Sequence, residues 1–255
     1  MDGRARRSMK SLTATILVLV SVAVASADET YRVEGHDVFQ VGARDLRGDI
    51  AYVGNQRLSV AKRGSATHYV ASVDYLRKDQ GAVSHAHGSF ASTITASGEQ
   101  RDELNRDPDY LTVLNQPFSV QLDGGTLRDI ARLHGRVPFD FPSPITGAPL
   151  HGYLEHGVDA VSNGARVVGV AFAADGPLHG RLPDHPGMML SGTIRMTGTA
   201  YYTSTNAMLR SLDATLTITG NVVDAGSNQP VRIVYRRTLR PASPTEAREA
   251  LAGAH

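Results

Sequence analysis

The stretch Leu190-Ser-Gly-Thr-Ile-Arg-Met-Thr-Gly-Thr-Ala-Tyr-Tyr202 decides the fold, because apolar or small residues alternate with polar ones along it. In an extended chain the even-numbered positions share one face and the odd-numbered positions share the other. A period of two is typical of a strand with one buried face. We therefore expect residues 190–202 to form a strand that covers an apolar core.

The alternation extends to both sides of this stretch. Two further strands are predicted over 212–222 and 231–240, and short polar turns connect all three. Short connections between alternating strands are typical of an antiparallel meander. Residues 165–174 are apolar on both faces, which predicts a central strand, and weaker alternation predicts strands over 66–77 and 82–97.

One amphipathic helix is predicted over 126–134. Thr126 and Asp129 have the spacing of a capping box, and Gly135 can end the helix. Four residues follow the cap at helical spacing: Leu127, Ile130, Ala131 and His134. The predicted fold class is therefore mainly β, an antiparallel meander that forms a curved sheet or open half-barrel with one short packed helix.

Three segments are predicted to be loops. Residues 98–110 are charged and contain Pro108, while 137–149 and 176–189 are rich in proline. Large apolar side chains in the last two segments either complete the core or form an open apolar mouth, where methionine adapts to variable ligand shapes. These side chains are the predicted ligand-binding residues: Phe139, Phe141, Ile145, Leu182, Met188 and Met189.

The N-terminus predicts export. Basic residues precede the apolar run Ile16–Val20, and Ala25-Ser-Ala27 forms a cleavage site before Asp28. The pair Arg6-Arg7 leaves both the general and the twin-arginine export routes open. The predicted organisation is a signal peptide over 1–27, a single β domain over 28–240, and a flexible or short helical tail over 241–255, located in the periplasm or outside the cell.

Composition narrows the class of protein. The 255 residues include no cysteine, so neither a disulfide nor a thiolate metal site is expected. The formal net charge of +1 falls to −2 when four basic residues and Asp2 leave with the signal peptide, and no nucleic-acid groove is predicted. No membrane span is expected after cleavage, and no cofactor motif occurs. Nothing in the sequence indicates an oligomeric state.

Chemical motifs are sparse. His85 and His87 lie two residues apart on one face of a predicted strand, so the pair is either a metal site or part of a solvated face. No serine-nucleophile motif is present, and a non-catalytic protein is favoured over an enzyme. Four arginines in and around the last strand form either an anion-binding face or a solvated one: Arg232, Arg236, Arg237 and Arg240.

The segments Gly198-Thr-Ala-Tyr-Tyr202 and Ala207-Met-Leu-Arg-Ser-Leu212 are followed by an alternating strand. Together with the leader, the meander, the single helix and the absence of cysteine, they resemble the half-barrels of periplasmic lipoprotein carriers. That resemblance implies a sheet that wraps a helix and holds acyl chains in the gap. The insert at 137–149 departs from such carriers.

Three functions follow as hypotheses. The first is an exported, soluble, non-catalytic protein that binds an apolar or amphiphilic ligand, such as a lipid, or a lipidated envelope partner. The second is a metal-dependent hydrolase that uses His85 and His87. The third is a structural envelope or adhesion module, which predicts an exposed edge strand or surface patch.

Overall fold

The computed structural model describes residues 26–42, 46–95, 100–115, 120–133, 135–141, 149–162, 164–182, 185–205, 207–224 and 226–246. Twelve strands and one helix of more than one turn occur within these ranges. In chain order they are β1 (Ser26–Val41), β2 (Leu46–Arg63), β3 (Ala66–Asp79), β4 (Ala82–Ile94), β5 (Gln100–Arg106), α1 (Gly124–Leu133), β6 (Arg136–Phe141), β7 (Leu150–His156), β8 (Ala160–Ser162), β9 (Ala165–Leu182), β10 (His185–Thr203), β11 (Leu209–Asp224) and β12 (Ser227–Pro241). A single helical turn follows at 244–246.

All twelve strands belong to one antiparallel sheet, which is open. Its order is β5-β4-β3-β2-β1-β12-β11-β10-β9-β7-β6, and β8 pairs with β9 beside β7. The first and last strands therefore lie side by side near the middle, joined by eleven residue pairs from Tyr31–Pro241 to Val41–Val231. We call this junction the seam. It unites two wings, β1–β5 and β6–β12, and the predicted fold class is confirmed.

The predicted alternation is present in the described strands. In β10 the inward side chains are buried, whereas outward residues such as Ser191, Thr193 and Arg195 are exposed. The buried set is Leu190, Ile194, Met196, Ala200 and Tyr202. Strand β9 has a neighbouring strand on each edge, which confirms the central strand predicted over 165–174. The inward face is concave and carries the core, and the opposite face is called the outer face below.

Four strands correct the loops predicted from the sequence. Residues 100–106 form the edge strand β5, and residues 136–141 form the other edge strand, β6. The segment 176–189 belongs to the long hairpin of β9 and β10. Pro177 is accommodated because it lies beyond the last β7–β9 pair, His151–Asp175, where prolines are tolerated at a sheet edge.

Inward-facing glycines allow the sheet to bend. A Cβ atom at Gly192 would lie 2.2 Å from the carbonyl oxygen of Thr219, and one at Gly220 would lie 2.2 Å from that of Ser191. These two glycines face each other across β10 and β11. Glycine inside a strand often marks a tight bend where two backbones approach closely. The close approach of β10 and β11 at this point therefore requires residues without side chains.

Helix α1 begins two residues before its predicted start. Its N-cap is Asp123, whose carboxylate accepts hydrogen bonds from the amides of Gly125 (2.7 Å) and Thr126 (3.0 Å). Thr126 is therefore in the first turn instead of at the cap, and its hydroxyl bonds back to Asp123. Leu127 and Ile130 are buried, as predicted. Among the described residues, no helix has the length and apolar character needed to cross a membrane.

Candidate ligand-binding site

A long connection crosses the concave face from the β5 edge to the β6 edge. We call it the cover (residues 107–115 and 120–133). Its backbone amide at Val113 donates to Gln56 of β2 (3.2 Å), and its Val120 carbonyl accepts from the Tyr202 hydroxyl of β10. Helix α1, at the end of the cover, contacts β6, β7 and β9. The cover thus spans most of the sheet.

The cover fills the core that the sheet alone leaves open. Seven of its apolar side chains are almost fully buried: Leu111, Val113, Leu114, Val120, Leu122, Leu127 and Ile130. The concave side is therefore packed largely by residues of the cover, together with Phe141 of β6 and Leu178 of β9. Two buried amides, Gln56 beneath the cover and Gln121 within it, each keep one side-chain atom without a hydrogen-bond partner among the described residues.

An ion pair at the seam fastens the cover to the sheet. Arg237 of β12 and Asp37 of β1 face inward, are 1% and 2% exposed, and form a two-pronged salt bridge. The remaining guanidinium donors bond the carbonyls of Arg236, Asp109 and Tyr110. All five N–H donors of Arg237 are thus used. Arg237 therefore does not belong to the outer arginine face.

Asp109 attaches the cover to the sheet at a second point. Its carboxylate accepts hydrogen bonds from the hydroxyls of Tyr52 on β2 (3.0 Å) and Tyr75 on β3 (2.6 Å). Burial raises the pKa of both phenols, and the nearby carboxylates raise it further, so both remain neutral donors. Burial also raises the pKa of Asp37, because Arg237 only partly opposes it. We call these five residues the clasp: Asp37, Tyr52, Tyr75, Asp109 and Arg237.

The clasp was missed because its members are distant in sequence. A signal was present, since an aspartate at position 37 and an arginine at 237 interrupt the apolar faces of two strands. Asp37 has the parity of Val33, and Arg237 has the parity of Tyr235 and Leu239. Two opposite charges on the inward faces of two strands predict a pair only when those strands are known to be neighbours.

Beside the clasp, the concave face keeps a partly open apolar surface. Its side chains are half-buried and pack against the core: Phe39, Val41, Tyr110, Ile233 and Tyr235. We call them the concave patch. The Phe39 and Tyr110 rings meet the Tyr235 ring edge to face, with centroids 5.8 and 6.5 Å apart. Tyr110 has a left-handed backbone (φ 53°), a strained conformation for this residue type.

Of the six predicted ligand-binding residues, the structure describes the side chains of three, Phe139, Phe141 and Met189. Phe139 is half-buried and Phe141 is fully buried on β6, and their rings lie 4.8 Å apart. Met189 is half-buried on the outer face, paired with Arg181 and Val223. Three members are not tested by these contacts: Ile145 lies outside the described residues, and the side chains of Leu182 and Met188 are not among those described.

The histidine pair lies on the outer face. His85 and His87 are exposed on β4, and Nδ1 of His87 is 2.8 Å from the Asp74 carboxylate of β3. Within the described ranges, no group of three or more histidine and carboxylate side chains is arranged to hold a metal ion. The pair has the geometry of a solvated cross-strand contact, and nothing in it favours the hydrolase hypothesis.

The edge strands give little support to an adhesion module. Strand β5 has seven residues and is strongly charged, and β6 has six residues and contains Pro138. Short, charged or proline-containing edges discourage pairing with another sheet. Both edges of this sheet therefore carry features that oppose strand addition.

Comparisons with known proteins give distant structural similarities. No protein-family model matches the sequence, and no curated protein matches it. The chain is similar to a lipovitellin structure, solved for its lipid–protein interactions, with 11% identity, a TM-score of 0.40, and coverage of 85% of this chain and 25% of the other. It thus spans about a quarter of that chain.

DynF from the dynemicin biosynthesis pathway of Micromonospora chersina is also similar, with 10% identity and a TM-score of 0.26. That match covers 96% of this chain and 95% of DynF. At these TM-scores neither similarity carries an argument about what this chain binds.

Proposed function

We propose that this protein is an exported, non-catalytic binding protein for an apolar or amphiphilic ligand that presents an acyl chain. The carrying observation is the concave patch, a cluster of half-buried apolar side chains that continues the core of an open sheet. Ligand sites are commonly concave, apolar and rich in aromatic side chains. A free lipid and a lipidated envelope partner would offer the same chain to this surface.

The polar groups beside the patch fit a structural role better than a catalytic one. Every N–H of Arg237 is already bonded within the protein, and both Asp109 oxygens accept phenol hydrogens. A ligand therefore gains no charged partner from Arg237 unless the cover moves. We expect affinity to come chiefly from apolar contact with Phe39, Ile233 and Tyr235.

Titration of the purified protein with a dansyl-labelled fatty acid tests this function. We expect saturable fluorescence enhancement that unlabelled fatty acid reverses. Replacing Phe39→Ser and Ile233→Ser together removes two apolar contacts, and we expect an affinity loss of at least roughly tenfold, because about 1.4 kcal/mol corresponds to a factor of ten.

Val38→Ser is the matched control, since Val38 is half-buried beside Phe39 but faces outward. Circular dichroism melts establish that each variant is folded. Absence of saturable binding, or equal loss in Val38→Ser and the double variant, would overturn the proposal. Phe139→Ser extends the test to the one half-buried phenylalanine predicted from the sequence.

Export is a separate part of the proposal. It rests on the basic, apolar and small-residue order of residues 1–27. Cleavage before Asp28 would leave all of β1 except Ser26 and Ala27. N-terminal sequencing of the protein from an expressing bacterium should begin at Asp28, and an intact Met1 in the cytoplasmic fraction would contradict export.

A further inference from the structure

A groove crosses β10, β11 and β12 on the outer face, with a volume of about 580 Å³. Its outward-facing lining consists of hydroxyl-bearing side chains, one carboxylate and one aromatic ring: Thr197, Thr199, Tyr201, Ser211, Asp213, Thr215 and Thr238. The groove lies on the opposite side of the sheet from the concave patch. Any ligand it holds is therefore distinct from the acyl ligand proposed above.

The register of β10 and β11 places the polar side chains of this groove side by side. Thr197 pairs with Thr215, and Thr199 pairs with Asp213, so polar side chains stand in rows across neighbouring strands roughly 4.8 Å apart. Gly198 lies between the two threonines of β10 and faces inward, where a Cβ would come within 2.5 Å of the Asp213 carbonyl oxygen. The close approach of β10 and β11 at this glycine fixes the spacing of the rows.

The polar groups of the groove are available to a ligand. Across the part of the chain that the structure describes, Asp213 and the four groove threonines form no side-chain hydrogen bond or ion pair. Two other outer-face carboxylates are engaged by histidines, in the His36–Asp49 contact of 2.7 Å and the His87–Asp74 contact of 2.8 Å. Asp213 has no such neighbour among the described residues and is free to accept from a ligand.

The lining chemistry points to a neutral sugar chain. Each serine or threonine hydroxyl both donates and accepts, as sugar hydroxyls do, and the Asp213 carboxylate is a strong acceptor for them. Tyr201 supplies a half-exposed ring with an apolar face and a polar tip. None of the residues that line the groove is basic, which disfavours a polyanion, and none of the outward-facing ones is aliphatic, which disfavours a lipid.

The adjacent strand carries small side chains beside the groove. On the outer face of β9, Ala171 pairs with Thr199 and Ala173 pairs with Thr197. We propose that this groove binds a neutral polysaccharide, which would give the protein a second site independent of its acyl-chain site.

Affinity electrophoresis tests the proposal directly. The purified protein is run in native gels that contain soluble amylose, a soluble cellulose ether, galactomannan, mixed-linkage β-glucan or dextran. We expect at least one of these neutral polymers to retard the protein in a concentration-dependent manner. Loss of the ring in Tyr201→Ala should raise the apparent Kd by roughly tenfold, since one stacked contact of about 1.4 kcal/mol has that effect.

Asp213→Ala is the second test variant, and Thr219→Ala is the matched control, because Thr219 is an exposed threonine of β11 outside the groove. Retardation that is lost in both test variants and kept in the control supports the proposal. No retardation by any of the five polymers, or retardation that Tyr201→Ala and Asp213→Ala leave unchanged, overturns it. Fatty-acid titration of the same variants keeps the two sites distinguishable, since Tyr201→Ala should not alter that titration.

Discussion

Arg237 and Asp37 lie at the centre of the sheet, where the first and last strands meet. Burying two charges is costly, and a salt bridge in the interior offsets that cost only when the remaining donors and acceptors are also bonded. Here the guanidinium bonds three carbonyl oxygens in addition to the carboxylate. Those carbonyls belong to the seam and to the cover, so one side chain ties together segments that are about 130 residues apart.

The variant Arg237→Met should lose about 3–5 kcal/mol of unfolding free energy, because it leaves a buried carboxylate without its partner. Urea denaturation monitored by circular dichroism measures this loss. The double variant Asp37→Leu/Arg237→Met should be more stable than Arg237→Met, since it removes the unpaired charge. A double variant that is less stable than the single one would contradict this account of the seam.

The stability of Arg237→Met should depend on pH. Burial raises the pKa of Asp37, and loss of the opposing Arg237 charge should raise it further. A carboxyl whose pKa is higher in the folded state stabilises the fold below its unfolded pKa of about 3.9, and that contribution is lost as the pH rises through the folded pKa. The deficit of Arg237→Met should therefore be smaller at pH near 4 than at pH 7.

Individual elements differ in how far the sequence specified them. Strands β10, β11 and β12 were predicted because apolar side chains occupy nearly every inward position. Strand β1 was missed because Gly35 and Asp37 occupy its inward face where apolar residues were required. Strands β5 and β6 were missed because edge strands tolerate charge and proline, which are also typical of loops.

The candidate site likewise combines features that the sequence predicts with features that it does not. Phe139 and Phe141 are neighbours because residues two apart on a strand share a face, although the sequence predicts a loop there. Met189 was grouped with them, but its odd position puts it on the outer face, opposite to Leu190. The concave patch could not be assembled from sequence, since Phe39, Tyr110 and Tyr235 meet only through the seam and the cover.

Helix α1 offers a test at the scale of one element. Burial tends to raise the pKa of Asp123, but hydrogen bonds from Thr126 and Gly125 outweigh it and lower the pKa. Asp123→Ala should destabilise the protein by about 1 kcal/mol at neutral pH, because an N-cap is lost. A carboxylate with a lowered pKa stabilises the fold above its unfolded pKa, and this contribution is lost as the pH falls through the folded value.

The difference between wild type and Asp123→Ala should consequently shrink on acidification, which urea titrations at several pH values would show. Asp129→Ala is the control on the same helix, because Asp129 is exposed and only pairs with Arg132. Equal losses for the two variants would contradict the expected stabilisation by the Asp123 cap.

At the scale of the whole molecule, the first and last strands of the described sheet pair with each other, although the sheet itself is open. Strands β1 and β12 are the ends of the domain, yet each has a neighbour on both sides. Their pairing spans 200 residues between Asp37 and Arg237. Such long-range pairing forms late and slowly, because loop-closure entropy must be overcome before the contacts form. We expect the two wings to depend on the seam for their stability.

Hydrogen exchange would reveal this dependence. Amides of β1 and β12 should exchange most slowly, through global unfolding, whereas those of the edge strands β5 and β6 should exchange first. Arg237→Met should accelerate exchange in both wings by similar factors, because the seam holds them in one cooperative unit. If instead β1 exchanged quickly while the β10–β11 hairpin stayed protected, the wings would be separately stable. The seam would then be a point of opening, through which an acyl chain could reach the core beneath the cover.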